Sequence, residues 1–348
     1  MKNRRDRKER RFVVAGCGSI GKRHIKNLLD LRAGEVLAFD VQPERRREVG
    51  AALGVETLAS AEAVWPRQPD VLLVAVPTAL HMPLALAAAE RGIHLFIEKP
   101  LASSWDGVDR LLSLVRQREI VSLVGCNLRF QPGLAQVKQL LGERSVGRLI
   151  AARVEVGQYL PDWHPWEDYR RSYSARTELG GGTILDAIHE IDYIRWLLGD
   201  VTGVFCLAAK LSQLEIDTED TAALLLRFAN GALGEVHLDY IQRAYSRTCQ
   251  IIGDEGTIHW DFAAGQVRWY SAHSKAWKVF ANPAGWHTNQ MYLDEMAHYL
   301  RCLAGDEAPA LDVSEAAQVL RIALAAKESA RRQNWLELGS PMWNSQIS

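Results

Sequence analysis

Two short stretches of the chain hold side chains able to move a proton. "GGGTILDAIHEIDYIRWLLGD", residues 180 to 200, sets Asp186 and His189 three apart in an otherwise apolar run opened by three glycines. "HLFIEKP", residues 94 to 100, ends on Glu98, Lys99 and Pro100. A histidine titrates near pH ~6.5, which suits general acid/base work at neutral pH; a lysine, near ~10.4, serves there as a cationic hydrogen-bond donor unless its surroundings lower its pKa strongly. Residues three and four apart are neighbours on a helix, so a helix running on from the glycines carries Asp186, His189 and Tyr193 on one side. That pattern has two uses: a catalytic pair, or an aspartate orienting a core histidine.

The elements that must position these groups begin with "RFVVAGCGSIGKRHIKNLL". A β-type run from Phe12 to Ala15 passes through Gly16-Cys17-Gly18-Ser19-Ile20-Gly21 into helical spacing at Ile20, Ile25, Leu28 and Leu29. In such a turn Gly16 allows the bend, Gly18 lets a pyrophosphate approach the backbone, and Gly21 lets helix pack on strand. The phosphates meet the free N–H groups and positive end of the helix. "EVLAFD" reads as a second strand ending at Asp40, 24 residues after Gly16 and near the spacing at which an acid accepts ribose hydroxyls. That acid favours NAD over NADP, because a 2'-phosphate would face like charge, although Arg45, Arg46 and Arg47 soften the repulsion. The bland alternative is a tight turn in a sheet that binds no dinucleotide.

Strand and helix patterns keep alternating through "VLLVAVP" (71 to 77) and "HLFIEKP", which predicts a doubly wound α/β sheet. Ligands of such sheets sit outside the carboxyl ends of the strands, where Pro77, Thr78, Glu98 and Lys99 fall. Pro100 biases Lys99 towards an extended backbone at that edge. A hydride that leaves a carbinol carbon for nicotinamide leaves behind a hydroxyl proton that the cofactor does not take. His189 is therefore read as general acid/base, Lys99 as the donor that stabilises the developing alkoxide, and Asp186 as an orienting or substrate-hydroxyl partner. The roles of Lys99 and His189 are open to exchange or to sharing through a relay.

G-x-G-x-x-G, then E-K-P, then Asn127-x-Arg129-Phe130 within "VGCNLRFQPG" (124 to 133), then G-G-G followed by Asp and His occur in that order across residues 12 to 340. In this the chain resembles the Gfo/Idh/MocA family, the oxidoreductases related to glucose-fructose oxidoreductase and inositol dehydrogenase. The resemblance implies an α/β plus α+β chain. A Rossmann doubly wound parallel sheet would occupy 12–125, and a substrate-binding and oligomerisation domain, a large, mainly antiparallel open sheet flanked by helices, 126–340. It implies hydride transfer between NAD(P) and a secondary hydroxyl or ketone of a sugar, polyol or nucleotide sugar, the rival being an NAD(H)-binding regulator without turnover. The implied cofactor contacts are Gly16, Gly18, Ser19, Ile20, Gly21, Asp40, Pro77, Thr78, His81, Glu98 and Lys99. The implied substrate contacts are Lys99, Asn127, Arg129, Asp186 and His189. One departure stands out: many relatives space the Asp and His four apart with a glycine between, and one residue fewer swings the carboxylate by about 100° of helix rotation.

From "RLIAARVEVGQYL" onward the chain is β-rich, and Asn230-Gly231 between two alternating runs predicts a two-residue hairpin. "QYLPDWHPWEDYRRSYSARTEL", residues 158 to 179, gathers Trp163, His164, Trp166, Tyr169, Tyr173 and Arg176 in a loop. Aromatic faces suit a sugar ring and arginines a carboxylate or phosphate, so Trp163, Tyr169 and Arg176 join the substrate-binding candidates; a packed surface loop or subunit contact is the alternative. The loop together with the glycine run resembles the oxidoreductases of nonulosonate or other surface-sugar biosynthesis. "YLDEMAHYLRCLAG" and "SEAAQVLRIALAAKESARR" read as amphipathic helices closing the second domain, with Glu295 and His298 on a solvated face.

The 348 residues carry a formal net charge of -1 and are 48% hydrophobic, which suits two globular domains. The first eleven, MKNRRDRKERR, hold seven Lys or Arg against two acids and read as a mobile basic tail; no basic face continues it, which argues against nucleic acid. No apolar run reaches 18 residues and no secretory leader is evident, so a cytoplasmic protein off the membrane is expected. Five scattered cysteines without a C-x-x-C pair read as core residues, and no His/Cys/Asp/Glu spacing predicts a metal. The family resemblance implies subunit contacts through the open face of this antiparallel sheet, and exposed apolar alternation would support that, so a homodimer or homotetramer is expected.

Overall fold

The computed structural model describes residues 10–163 and 165–339. Residues 1–9 of the expected basic tail, His164, and the last residue of the expected second domain lie outside them. The strands are β1 Arg11–Ala15, β2 Glu35–Phe39, β3 Glu56–Leu58, β4 Val71–Val74, β5 His94–Glu98, β6 Ser122–Gly125, β7 Leu149–Gly157, β8 Val201–Ala209, β9 Thr221–Phe228, β10 Leu233–Asp239, β11 Ser246–Gly253, β12 Gly256–Asp261, β13 Gln266–Ser271, β14 Ala276–Ala281 and β15 Leu336–Glu337. The α-helices are α1 Ser19–Asp30, α2 Pro43–Leu53, α3 His81–Ala89, α4 Val108–Gln117, α5 Pro132–Gly142, α6 Thr183–Asp186, α7 Ile188–Leu198, α8 Asn289–Ala304 and α9 Val313–Arg332.

The chain divides into two compact units. The first takes in the chain up to Ala102, Asp106–Gly125 and Thr288–Glu315; the second takes in Ser103–Trp105, Cys126–His287 and the chain from Ala316. In the first, six parallel strands lie in the order β3-β2-β1-β4-β5-β6. The order reverses between β1 and β4, where a doubly wound sheet opens its ligand crevice. Strands of a parallel sheet are covered on both faces, and Phe12 to Ala15 and Val71 to Val74 are accordingly buried throughout.

Ser103–Trp105 belong to the second unit ahead of Cys126, and α8 belongs to the first unit rather than closing the second. Its Met296, Tyr299 and Leu303 join the core with Phe96 and Leu123, and Tyr299 meets the Phe96 ring edge-on at 5.5 Å. Amphipathic spacing shows that one face of a helix is covered, without showing by what. Glu295 and His298 are also buried instead of solvated. His298 Nδ1 lies 2.7 Å from Glu307 Oε2, and its Nε2 accepts the Ala310 N–H at 2.9 Å, which closes the turn after α8.

In the second unit nine strands run β14-β13-β12-β11-β7-β10-β9-β8-β15, antiparallel except for the parallel pair β7 and β10. Helices α5 and α7 lie against this sheet. Along β9 and β10 burial alternates residue by residue, leaving Ala223, Leu225, Glu235 and His237 exposed on the opposite face. The hairpin joining β9 to β10 has a three-residue loop, not two: the Phe228 N–H donates to the Ala232 carbonyl, and Gly231 adopts φ 86°. The left-handed residue at the third loop position corrects the strand twist, as in three-residue hairpins generally.

All five cysteines are buried; burial raises the thiol pKa of Cys17 to about 11 and those of Cys206 and Cys249 to about 12. They behave as core residues. Among the described residues no helix is long and apolar enough to cross a membrane, and no group of three or more His, Cys, Asp or Glu is arranged to hold a metal.

Candidate active site

The glycine turn after β1 separates into positions the protein needs and one it does not. Gly16 has φ 100°, and a Cβ there would meet the Ala75 carbonyl oxygen at 2.3 Å; a Cβ on Gly21 would stand 1.8 Å from the Gly16 oxygen. Gly18 has an ordinary φ of -72°, and a Cβ there would have only the Arg45 guanidinium nearby, at 4.0 Å. Sterics within the chain therefore explain Gly16 and Gly21 but not Gly18. The space beside Gly18 suits a group that approaches from outside. Gly18 is also the N-cap of α1 and supplies no side-chain acceptor, leaving first-turn N–H groups such as those of Ser19 and Ile20 for an anion.

Asp40, just beyond β2, is buried and fastened to the same turn. Its Oδ2 accepts the Cys17 N–H at 2.8 Å, its Oδ1 accepts the Gln42 N–H at 2.8 Å, and Arg45 Nη1 lies 3.9 Å from Oδ2. A carboxylate has about four lone-pair sites, so two backbone donors leave capacity for ribose hydroxyls. These residues fit the adenosine and pyrophosphate end of a dinucleotide.

Pro77 and Thr78 follow β4, Thr78 opening the short 3-10 turn Thr78–Leu80 that leads into α3. His81, expected at the cofactor, is buried with both ring nitrogens against backbone carbonyls: Nδ1 is 2.8 Å from Pro100 O and Nε2 is 2.9 Å from Val76 O. It straps the segment after β4 to the segment after β5. Burial holds its pKa below the usual histidine value, outweighing the two carbonyls that favour the charged ring. Lys99 is half-buried at the carboxyl end of β5, followed by a cis bond to Pro100.

Glu98 is also engaged within the unit. Its Oε1 lies 2.5 Å from Nε2 of His24, a fully buried residue of α1, and its Oε2 accepts the Lys99 backbone N–H at 3.2 Å. Sequence reading passed over His24. The available signal was a polar residue on the buried face of α1, between Ile20 and Ile25 in the apolar pattern.

In the second unit the glycine run has an internal explanation. Gly180 and Gly182 have φ of 82° and 105°, and a Cβ on Gly181 would stand 2.2 Å from the Tyr173 carbonyl oxygen. The helix expected to continue from it is interrupted at Ala187, with φ -88° and ψ 30°, into α6 and α7. The interruption falls where the Asp-to-His spacing is one residue short. Asp186 is buried at the end of α6 and accepts three hydroxyls: Tyr173 at 2.5 Å, Ser174 at 2.6 Å and Tyr240 at 3.1 Å. His189, in the first turn of α7, is half-buried. Beside it Glu190 is wholly buried and pairs with Arg247 at 2.8 Å. Tyr193, expected on the histidine's face, is a core residue packed edge-on against Trp260 at 5.7 Å, and burial raises its pKa well above that of an ordinary phenol.

Arg129, expected at the substrate, is held inside the unit. Its Nε and Nη2 bond the two carboxylate oxygens of Asp192 at 2.9 and 2.7 Å, with both residues buried. This bidentate pair fastens the Asn127–Phe130 turn, in which Asn127 is buried, to α7. Trp163 and Tyr169 pack with Leu160, Leu214 and Tyr240 in a small cluster, Trp163 meeting Tyr240 edge-on at 5.4 Å. Arg176 is exposed, as is Trp166 at 74%.

Residues 10–126 match the family model described as the oxidoreductase family with an NAD-binding Rossmann fold, and residues 134–259 match the GFO/IDH/MocA C-terminal domain. A relative from Shouchella clausii, an inositol 2-dehydrogenase/D-chiro-inositol 3-dehydrogenase, is 31% identical over 260 residues, 71% of each chain. The chain belongs to the Gfo/Idh/MocA oxidoreductase family. The myo-inositol 2-dehydrogenase of Thermotoga maritima is 28% identical over 350 residues, covering 94% of this chain and 98% of that one. The WlbA dehydrogenase from Bordetella pertussis, solved with NADH and UDP-GlcNAcA, superposes with a TM-score of 0.82 at 26% identity, covering 95% of this chain and 99% of that one. This Gfo/Idh/MocA chain thus has relatives that are sugar and polyol dehydrogenases, and a structural neighbour that binds NADH.

Proposed function

We propose that the protein is an NAD-dependent dehydrogenase that reversibly oxidises a secondary hydroxyl of a sugar, polyol or nucleotide sugar. The observation that carries the cofactor reading is Gly18, bare where the protein has no use for bareness, beside the carboxylate of Asp40. NAD is favoured over NADP because Asp40 presents its charge at that end of the turn, although Arg45 stands 3.9 Å away. The bound nicotinamide would supply the hydride acceptor. His189 takes the hydroxyl proton as general base and returns it in the reverse direction, and Lys99 donates a hydrogen bond to the oxygen as negative charge develops on it. An open face on the nine-stranded sheet supports a homodimer or homotetramer, and buried thiols suit a cytoplasmic setting.

The test is a panel of inositols, free sugars and nucleotide sugars with NAD+ and NADP+, following absorbance of the reduced cofactor. The expected result is turnover with one class, and at least tenfold tighter binding of NADH than of NADPH. His189→Ala and Lys99→Met should each lower kcat by about 100-fold or more, the range for loss of a proton-transfer group. Unchanged turnover in either variant would remove that residue from the site, and failure to bind either cofactor would end the hydride-transfer reading.

A further inference from the structure

Asp186 is the group on which two readings diverge: a carboxylate that meets the substrate, or one that holds the protein together around it. Its burial and hydrogen bonds bear on that choice. Short O–H donors favour the ionised form of a carboxylate, and each one occupies a lone pair that a substrate hydroxyl would otherwise use. The three donors come from two places in the chain: Tyr173 and Ser174 from the aromatic segment 158–179, and Tyr240 from just after β10.

A second observation, independent of the carboxylate, joins the same pieces. Tyr173 and Ser174 pass directly over Gly181, where a Cβ would meet their carbonyl oxygens at 2.2 and 2.6 Å. The Gly182 N–H donates to the Ser174 carbonyl at 3.2 Å, and the Thr218 hydroxyl donates to it at 3.1 Å. The aromatic segment is thus fixed to the glycine run at its backbone and to Asp186 at its side chains, three residues before His189.

We propose that Asp186 is a positioning residue: with Tyr173, Ser174 and Tyr240 it forms an anchor that fixes the 169–179 segment against α6, three residues before His189, and so sets affinity for the sugar rather than the rate of proton transfer. This rests on the dehydrogenase reading for what the segment binds, but not for the anchor itself. The anchor assigns Tyr173, Ser174 and Tyr240 to sugar binding without requiring any of them to touch the sugar.

Two measurements on the full chain decide it. In steady-state kinetics with whichever sugar the panel identifies, Tyr173→Phe and Ser174→Ala should raise the KM for the sugar about fivefold or more. kcat, NADH affinity and the pH profile of kcat should stay as in the unaltered protein. Asp186→Asn, which keeps an acceptor, should act in the same direction as these two. Hydrogen–deuterium exchange without substrate should show 169–179 and 183–189 losing protection together in Tyr173→Phe. If Asp186→Asn lowers kcat and displaces the pH profile while KM and exchange stay unchanged, Asp186 lies on the proton path and the proposal falls. It falls equally if Tyr173→Phe leaves exchange in both segments unaltered, a result available even if Asp186→Asn does not fold. Should no sugar reduce the cofactor, the dehydrogenase reading fails while exchange still decides the anchor.

Discussion

Single residues in the first unit show how burial settles charge. His81 has two carbonyl oxygens against its ring, an arrangement that favours the imidazolium, yet its burial favours the neutral ring and prevails. Its folded pKa is therefore depressed below the unfolded value of about 6.5. Below that pH the unfolded chain binds a proton that the folded chain resists, so this contribution to stability is complete above about pH 6.5 and is lost as pH falls. Calorimetric unfolding should lose up to about 1 kcal/mol between pH 6.5 and 5.5 through this group. The slope should be shallower in His81→Gln, which can still donate to one carbonyl. Equal slopes in the two proteins would mean that another group carries the acid sensitivity, and His94 and His259, half-buried with lowered pKa, would be examined next.

At the scale of elements, the strands and helices around the glycine turn were legible because several local signals agree there: a β-type run, glycines at fixed offsets, helical spacing, and an acid after the second strand. The two outer glycines and the middle one nonetheless answer to different constraints, which makes a paired prediction. Gly21→Ala forces a methyl group to 1.8 Å from a backbone oxygen and should cost stability by about 1 to 3 kcal/mol or more. Gly18→Ala meets only the Arg45 guanidinium, at an ordinary 4.0 Å, so its melting temperature should stay within the scatter of surface substitutions while its NADH affinity falls about tenfold. Undiminished NADH binding by Gly18→Ala would deny the turn its dinucleotide. The break between α6 and α7 was not legible, because Ile184, Leu185, Ile188 and Ile191 keep helical spacing straight across Ala187. Nor were β13 and β14: their aromatic and charged residues are exposed or only half-buried, and Lys275 makes their turn at φ 51° where glycine or asparagine is usual. Arg129 illustrates the same limit at the site. Its motif was legible, but its partner Asp192 lies 63 residues away, and nothing local announces a bidentate ion pair at that separation.

For the whole molecule, the alternation along the second sheet predicted an open face, and the structure supplies its composition. Phe205, Leu207, Ala223 and Leu225 line up across β8 and β9, with Leu207 56% and Leu225 52% exposed. The neighbouring strands add Arg153 and Glu235, paired at 3.2 Å, together with Glu155 and His237. A leucine stripe bordered by charges of both signs suits an isologous contact, in which a second copy turned by 180° presents the same apolar core and polar rim. Light scattering at micromolar concentration should therefore report a mass of two or four chains. Leu225→Glu places a charge in the middle of the stripe without filling any buried space, so it should shift that mass towards one chain while leaving the unit's fold, read by circular dichroism, intact. A monomeric mass for the unaltered protein would mean that this face is open in solution, and an unchanged oligomer in Leu225→Glu would move the contact elsewhere. Because the stripe lies wholly in the second unit while the glycine turn and Asp40 lie wholly in the first, dissociation should leave NADH binding by the first unit untouched. Loss of NADH affinity on dissociation would instead require the second copy to support the cofactor site.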